Sequence, residues 1–456
     1  MDGRPLRIAI VAGEASGDQQ GAALLDALRT IASPRSVEAW GIGGGRMRAA
    51  GVELLYDSSL LGTIGIVAAL TQVPLFIRAL GDVRRQLAAR KPDVLVLIDA
   101  GGFNVPLANW VKERNLCPVF YYFPPSSWRR TVRPPGGNPK RDLAAITDRI
   151  VTPFPWSADN LRAGGADAHF VGHPLLDIVR PQLQPDDFYE RFGLDPRRQI
   201  IALMPGSRVM EIRHILPAMI GAAGEIARRI PSAQFTLALA PNIPRDMVED
   251  IVRREQKAGG RAVRLQLFMH QAGGKLAQIA QSTLTPVPQL ATNEGLTLPV
   301  VKEDENAEPR DRTNPSHAPL VICEDLTYDV IARSDLVITK SGTSTLEAMI
   351  LGKPMIIVYR GSAAMAVEWK LRKKRLNIQY VGMPNILADE MLFPELLQDD
   401  ASPEAIARLA LDMLLQPERL LALKERLLDV AHATLGEPGA VQRTAELLYE
   451  IATRPT

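Results

Sequence analysis

Cysteine is scarce in this chain, and the two residues present lie far apart. Cys117 and Cys323 occur within apolar runs, and neither has a CxxC or CxxH neighbour. No disulfide framework is indicated, and a structural metal site is not expected. We predict that both side chains are buried free thiols in a protein of a reducing compartment.

The sequence also lacks a surplus of charge and any long uncharged apolar run. Lys and Arg number 53 against 51 Asp and Glu, a formal net charge of +2. A basic surface for an anionic partner must therefore be local, and no nucleic-acid partner is expected. The apolar part of the N-terminus is too short for a signal peptide, and no stretch has the length of a membrane span. These absences predict a cytoplasmic protein and leave attachment to a membrane surface open.

The chain opens with a strand, a glycine-containing turn and a helix, the first unit of a doubly wound sheet. An apolar run at residues 6–11 is followed by the turn 12–18 and a helical pattern at 19–30. The turn lacks GxGxxG, so a nicotinamide dinucleotide is not favoured. Because Glu14 and Asp18 oppose phosphate there, we predict a ligand with hydroxyl groups. A capped helix after a tight turn is the alternative.

Asp99 follows an almost wholly apolar run at residues 93–98 and precedes the glycine-containing stretch 100–104. Ligands of open α/β sheets bind beyond the carboxyl ends of the strands. A carboxylate at that place is a candidate general base. The alternative is that Asp99 caps a helix beginning near Val105.

A second α/β alternation begins after a polar, proline-containing connection at residues 179–198. Its first strand, 200–204, leads into a turn with Gly206, Ser207 and Arg208, and Glu211 enters the next helix. Backbone N–H groups and an arginine at a helix N-terminus suit a diphosphate. A plain turn with a solvated arginine is the alternative.

Residues 336–360 have the pattern of a βαβ unit with a small, hydroxyl-rich first loop. The loop contains Ser341, Gly342 and Thr343, and the helix after it carries Glu347 about one turn inside. Such a loop favours phosphate through its N–H groups and the helix dipole, and Glu347 would reach ribose hydroxyls. The alternative is an ordinary Ser/Thr-capped helix in an α/β core.

Three other segments allow simpler interpretations. Residues 271–319 are dense in proline and charge, so they predict an inserted surface hairpin or mobile loop without chemistry. The apolar segment 60–80 is either a core helix pair or a surface that meets lipid. The cationic run 369–376 is either a solvated helix face or a contact for anionic head groups.

Several short strings that occur in order along the chain resemble those of the lipid-A-disaccharide synthase family. The resemblance covers nearly the whole chain except 271–319, and it implies GT-B architecture: α/β, two Rossmann-like domains facing a cleft, with C-terminal helices. The expected segments are an acceptor domain at 1–180, a nucleotide domain at 196–360 and a helical segment at 361–456 that packs back or is swapped in a dimer. The strings are AGEASGD at 12–18, KPDVLVLIDAGGFN at 91–104, VGHPL at 171–175, MPGSR at 204–208, SGTSTLEAM at 341–349, GKPMIIVYR at 352–360, YVGMPNILA at 380–388 and PELLQ at 394–398.

The resemblance implies an inverting glycosyl transfer without metal or cofactor. UDP-2,3-diacylglucosamine would donate its sugar to the 6-hydroxyl of 2,3-diacylglucosamine 1-phosphate, giving a β-1,6-linked disaccharide 1-phosphate and UDP. Because both substrates carry acyl chains, the resemblance also implies an anionic membrane partner. It places the protein peripherally on the inner face of the inner membrane, with homodimer formation possible.

The resemblance also implies a role for each matching residue. Asp99 would be the base on the acceptor hydroxyl, and Arg208 would neutralise the leaving diphosphate. The remaining positions would bind substrate or nucleotide. They are Glu14 and Ser16 at the sugar, Gly206, Ser207, Ser341, Gly342 and Thr343 at the phosphates, Glu347 at the ribose, and Asn385 at nucleotide across a swapped dimer.

Departures from the family pattern lie on the acceptor and acyl side. Gly101 and Gly102 stand where Pro-Asp is usual, the string at 124–130 is shortened and has one tryptophan fewer, and Ala68 replaces a carboxylate. Three other functions therefore remain open. They are a divergent UDP-N-acetylglucosamine-type transferase with another lipid or glycan acceptor, a UDP-sugar 2-epimerase, and a non-catalytic paralogue that binds UDP-sugar or lipid.

Overall fold

The computed structural model describes residues 4–58, 66–125, 142–258, 266–267, 318–362 and 379–454. These residues form two compact units, one of residues 1–178 with 434–456 and one of residues 179–433. The cationic run 369–376 and nearly all of the 271–319 segment lie outside the described residues, as do the side chains at 59–72. Among the helices that are described, none is both long and apolar enough to cross a membrane.

The first unit contains a seven-stranded sheet in the order β3-β2-β1-β4-β5-β6-β7. Every neighbouring pair is parallel. The central strands are continuous apolar runs because helices cover both faces of a parallel sheet. The strands are β1 Leu6–Ala12, β2 Val37–Gly43, β3 Glu53–Asp57, β4 Val94–Ile98, β5 Val119–Tyr122, β6 Arg149–Thr152 and β7 Ala168–Phe170.

Helices connect these strands, and one from the C-terminus of the chain joins them. This last helix buries Ala445, Leu448 and Ile451 in the same core as Leu24 and Leu28 of the first helix. The helices of this unit are α1 Ala15–Ala32, α2 Gly45–Ala49, α3 Ile66–Arg90, α4 Gly101–Glu113, α5 Leu143–Ile146, α6 Pro155–Ala163, α7 Leu175–Ile178 and, near the end of the chain, α16 Ala440–Ala452.

The second unit repeats the architecture with the strand order β10-β11-β9-β8-β12-β13-β14, again all parallel. Its strands are β8 Ile200–Met204, β9 Gln234–Leu239, β10 Gln266–Leu267, β11 Pro319–Glu324, β12 Leu336–Lys340, β13 Met355–Tyr359 and β14 Glu395–Leu397. Its helices are α8 Pro185–Phe192, α9 Val209–Arg229, α10 Arg245–Ala258, α11 Thr327–Ala332, α12 Thr343–Ile350, α13 Met383–Ala388, α14 Pro403–Leu414 and α15 Pro417–Leu435, which reaches the boundary with the first unit.

The C-terminal region contributes to both units. Residues 379–433 belong to the second unit, whereas 434–456 return to the first. Arg149, with only 6% of its side chain exposed, pairs with Glu450 of the returning helix at 2.7 Å. The expected segment 361–456 is therefore divided, and its last helix packs on the N-terminal sheet.

The strand order reverses near the centre of each sheet. β1 lies between β2 and β4, and β8 lies between β9 and β12. The chain therefore leaves β1 and β4, and likewise β8 and β12, in opposite directions. Ligands of such folds bind beyond the carboxyl ends of the strands at this switch point. The predicted functional loops follow these four strands.

Candidate functional site

The two loops at the switch point of the first sheet are in close contact. A Cβ added to Gly13 would lie 2.4 Å from the Cβ of Ala100, so only glycine allows this approach. The contact brings the loop with Glu14 and Ser16 to the same edge of the sheet as Asp99. Glu14 is the N-cap residue of α1 without a capping hydrogen bond from its side chain, which does not support the capped-helix alternative.

The backbone at Asp99 is held in an unfavourable conformation. Asp99 has φ 47° and Ala100 has φ 38°, and such left-handed non-glycine residues are sparse and concentrate at functional sites. Asn104 Nδ2 donates to the Asp99 carbonyl at 3.0 Å and to that of Ile98 at 3.1 Å. The Tyr121 hydroxyl donates to the Asp99 carbonyl at 2.7 Å. Two buried side chains therefore fix this turn.

Tyr121 is suited to remain a donor. Burial, and to a smaller extent the nearby charge of Asp99, raise the pKa of its hydroxyl well above the ordinary value. Helix α4 begins at Gly101 with Ala100 as its N-cap, so the prediction that Asp99 caps a helix near Val105 is wrong. The Asp99 residue is exposed at the edge of the sheet.

Asp18, which was expected to repel phosphate at this edge, has a structural role. Its carboxylate accepts hydrogen bonds from the N–H groups of Gly44 at 2.7 Å, Arg46 at 3.0 Å and Met47 at 2.9 Å. The side chain is only 6% exposed. It therefore stabilises the start of α2, and Glu14 is the acid that remains at the loop.

Two of the departures from the family pattern touch each other. A Cβ on Gly101 would lie 2.7 Å from Cγ of Pro125, whereas a Cβ on Gly102 would meet nothing within 4 Å. Glycine at 101 is therefore required by the proline at 125. The absence of a carboxylate at 102 has no steric reason.

In the second unit, Glu211 organises the turn after β8. Its carboxylate accepts from Ser207 N at 3.2 Å and pairs with Arg208 Nη1 at 3.0 Å. A Cβ on Gly206, which has φ 124°, would lie 2.3 Å from the same carboxylate. Arg208 is thus a half-buried ion-paired residue, and the alternative of a solvated arginine is wrong. The Ser207 N–H, expected to bind phosphate, is already used by Glu211.

The loop after β12 differs from its prediction at one residue. The N–H of Ser341 donates to the Val358 carbonyl at 3.0 Å, and its hydroxyl donates to the Val381 carbonyl at 2.7 Å. Neither donor of Ser341 is therefore available for the predicted phosphate contact in this conformation. The serine instead joins the loop to the segment around residue 381.

Gly342 and Thr343 keep the predicted geometry. Gly342 is the N-cap of α12 with φ 138°, and the first turn of this helix contains no acidic residue. Its first N–H groups have no acceptor within the helix, and its dipole is not compensated there. The helix after Gly342 has no side-chain cap, so the Ser/Thr-capped alternative is wrong.

Glu347 and Asn385 have different surroundings. Glu347 lies on α12 and its carboxylate is 3.5 Å from the Tyr328 hydroxyl. Asn385 is completely buried, donates to the Phe393 carbonyl at 2.7 Å and to Glu395 at 2.8 Å, and accepts from Phe393 N. Within one chain Asn385 therefore fixes a turn, and a nucleotide contact by its side chain is not supported.

Sequence reasoning assigned no role to four residues that shape these loops. Asn104 and Tyr121 hold Asp99, Glu211 holds Arg208, and Lys340 Nζ lies 3.2 Å from Glu211. Only Glu211 had a usable signal, since an acid three residues after a helix start often folds back onto it. Within the residues described, no three His, Cys, Asp or Glu side chains form a metal-binding cluster.

Comparison with known sequences adds a family to this geometry. A family model described as lipid-A-disaccharide synthetase matches residues 8–285 and 273–448. The chain is 34% identical to the lipid-A-disaccharide synthase of Geobacter sulfurreducens over 448 residues, covering 98% of this chain and 97% of that protein. It is 30% identical to the lipid-A-disaccharide synthase of Synechocystis sp. over 453 residues, covering 98% of each.

Solved structures share the fold at low identity. A UDP-N-acetylglucosamine 2-epimerase from Neisseria meningitidis, bound to UDP-N-acetylglucosamine, has a TM-score of 0.55 at 12% identity over 97% of this chain and 98% of that one. A UDP-glucosyltransferase from Polygonum tinctorium has a TM-score of 0.54 at 13% identity over both whole chains. These likenesses carry the fold alone. The predicted fold class, α/β with GT-B architecture and C-terminal helices, is confirmed.

Proposed function

The chain belongs to the lipid-A-disaccharide synthase family, and from this premise we propose that it joins UDP-2,3-diacylglucosamine to 2,3-diacylglucosamine 1-phosphate. The protein is an enzyme of the hexosyltransferase type that acts in lipid A disaccharide synthesis. The proposal adds the two substrates, the inverting course and the roles of individual residues. One observation supports it most: in each unit, the predicted site residues other than Asn385 follow the two strands at the switch point.

The donor nucleotide would be bound by the second unit. Arg208 at the end of the β8 turn and the N-terminus of α12 offer positive charge to a diphosphate. Gly206 allows the close turn, and Gly342 and Thr343 supply backbone donors. Glu347 would hold the ribose hydroxyls. Ser207 and Ser341 contribute through the shape of their loops, since their N–H groups are bonded within the protein.

The acceptor sugar would be bound by the first unit, bordered by Glu14 and Ser16. Asp99 would take the proton of the acceptor 6-hydroxyl, whose oxygen attacks C1 of the donor sugar opposite the UDP. The bond from C1 to the diphosphate oxygen breaks, and UDP leaves with its electron pair. One displacement inverts C1 and gives the β-linkage.

We propose that this reaction needs no metal or cofactor. The charge that develops on the diphosphate oxygen would be stabilised by Arg208 and by oriented backbone N–H groups, which need no reorganisation during the step. Activity in the presence of a chelator would test this point directly.

The acylated substrates favour a membrane surface as partner. On α3, Val73 is 43% exposed and Ile77 is 63% exposed, and the two are one helical turn apart. We propose that this part of α3 meets anionic lipid on the inner face of the inner membrane. Flotation with anionic liposomes should recover the wild type and lose Ile77→Glu; equal recovery of both would contradict the proposal. A homodimer through the C-terminal region remains a prediction for sedimentation to test.

The activity is tested with radiolabelled donor and the acylated acceptor. Wild type should form the disaccharide 1-phosphate, and Asp99→Ala should reduce its rate by about 100-fold or more, the usual contribution of a general base. Asp26→Ala is a matched control, because Asp26 is an exposed ion-paired aspartate of the same unit. Full activity of Asp99→Ala would disprove the base. No product despite UDP binding would favour a different acceptor or a binding function.

A further inference from the structure

Lys340 is a cation at the switch point of the second sheet that no sequence motif indicated. It is the last residue of β12, and β12 pairs directly with β8 through Thr339 and Met204. Its side chain is 15% exposed. The ammonium group therefore lies at the carboxyl edge of the sheet, between the two loops that carry Arg208 and Gly342.

The position of the ammonium group is close to the turn predicted to bind phosphate. A Cβ added to Gly342 would lie 2.9 Å from Lys340 Nζ. The Lys340 carbonyl also accepts from the Ser344 hydroxyl at 3.0 Å. The carbonyl and the ammonium group of Lys340 are thus both held next to the start of α12.

Glu211 shares its carboxylate between Lys340 and Arg208. The carboxylate, 6% exposed, is 3.2 Å from Lys340 Nζ and 3.0 Å from Arg208 Nη1. Lys340 and Arg208 therefore both face this carboxylate. A lysine ammonium has three donors, and the contact of Lys340 with Glu211 uses one of them. A buried carboxylate in this position orients both cations.

We propose that Lys340 binds the diphosphate of the donor together with Arg208, and that Glu211 is the positioning residue for the pair. The inference rests on the proposed function, since it presumes a nucleoside diphosphate in this unit. It adds a binding residue from β12 and assigns Glu211 a role that the family resemblance did not.

The test compares the affinities for UDP and for uridine, measured by calorimetry on the full chain. Uridine lacks phosphate, so the ratio of the two affinities isolates the diphosphate contribution. Lys340→Gln should weaken UDP binding by roughly 10- to 100-fold, the loss expected for hydrogen bonds to a charged group, and leave uridine binding unchanged. Lys340→Arg should restore most of the ratio. Lys112→Gln is the matched control, because Lys112 is ion-paired with Asp148 in the other unit.

The variant Glu211→Gln distinguishes a positioning role of Glu211 in UDP binding from a purely electrostatic one. Removing an anion beside the diphosphate should strengthen UDP binding if Glu211 only contributes charge. If it positions the cations, UDP binding weakens despite the gain of positive charge, while uridine binding persists. Tighter UDP binding would overturn the positioning role.

The outcomes distinguish this inference from the function on which it rests. If wild type prefers UDP to uridine and Lys340→Gln keeps that preference, the assignment of Lys340 is wrong and the proposed function stands. If wild type shows no preference for UDP, the proposed donor site itself is wrong. Uridine binding by each variant also demonstrates that the second unit is folded.

Discussion

Replacing Asn104 should impair catalysis by releasing Asp99, although Asn104 touches no reacting group. Its amide donates to the carbonyls of Ile98 and Asp99 from a completely buried position. Asn104→Ala removes both bonds. Each bond contributes about 0.5–1.5 kcal/mol, so we expect the free energy of unfolding to fall by about 1–3 kcal/mol.

The same bonds oppose the strain in the turn. Asp99 and Ala100 both have positive φ, a conformation that costs on the order of 1–3 kcal/mol per residue. After the substitution the Tyr121 hydroxyl still holds the Asp99 carbonyl. If the productive turn loses about 2 kcal/mol, turnover falls roughly 30-fold. The KM for the donor should be unchanged, because the nucleotide residues belong to the other unit.

The assay is a double-mutant cycle with steady-state turnover and thermal unfolding. Asn109→Ala is the control, since Asn109 lies on the same helix and donates to the Val105 carbonyl at 2.9 Å; it should retain activity. In an Asp99→Ala background, Asn104→Ala should cost little further activity. An equal loss with and without Asp99 would refute the reasoning, because Asn104 would then act independently of the carboxylate.

The remaining predictions concern stability. Gly101→Ala should destabilise through its clash with Pro125. Gly102→Ala should raise the free energy of unfolding by about 0.5–1 kcal/mol. If denaturant unfolding showed Gly101→Ala to be the more stable of the two variants, the described geometry at Gly101 and Gly102 would be contradicted. Burial lowers the pKa of His173 from 6.5 to about 3, so the unfolded chain binds the proton first. The stability that comes from neutral His173 is therefore present above pH 6.5. Below pH 6.5 the free energy of unfolding falls by about 1.4 kcal/mol for each pH unit. His173→Phe should make the free energy of unfolding depend less on pH between pH 6.5 and 3. An unchanged slope of this free energy against pH would contradict the prediction.

Local sequence pattern predicted the strands and the loops that follow them. The apolar runs 93–98 and 200–204 predicted β4 and β8 close to their observed bounds, and the βαβ unit predicted from residue 336 begins with β12. The sequence pattern also predicts helices at 403–415, 418–434 and 440–452, and the observed bounds of all three lie within one residue of these. These features depend on residues that are neighbours in the sequence, so one sequence is enough to predict them.

Partners distant in sequence could not be found in this way. Asp18 was expected to oppose phosphate in the loop after β1, but its carboxylate bonds the start of α2 across a sequence separation of 26 residues or more. Ser341 was assigned to phosphate, but its hydroxyl is bonded 40 residues away. Asn385 was expected at a nucleotide across a swapped dimer, which stays a prediction, and within one chain its side chain bonds Phe393 and Glu395. In each case a polar side chain has hydrogen-bond partners outside its own loop or helix.

By itself, the sequence determined the two doubly wound halves, their ordered motifs and the positions of Asp99 and Arg208 after strands. Composition and periodicity are enough to predict these features, because the buried strands of a parallel sheet are apolar and the loops after them contain turn-forming residues. Only the tertiary structure decided which charges meet: that Glu211 holds Arg208 and Lys340 together, that Asn104 and Tyr121 hold Asp99, and that the last helix returns to the first sheet. The strand order explains two of these contacts. Lys340 reaches Glu211 across 129 residues because β12 lies beside β8, and Tyr121 reaches Asp99 across 22 residues because β5 lies beside β4.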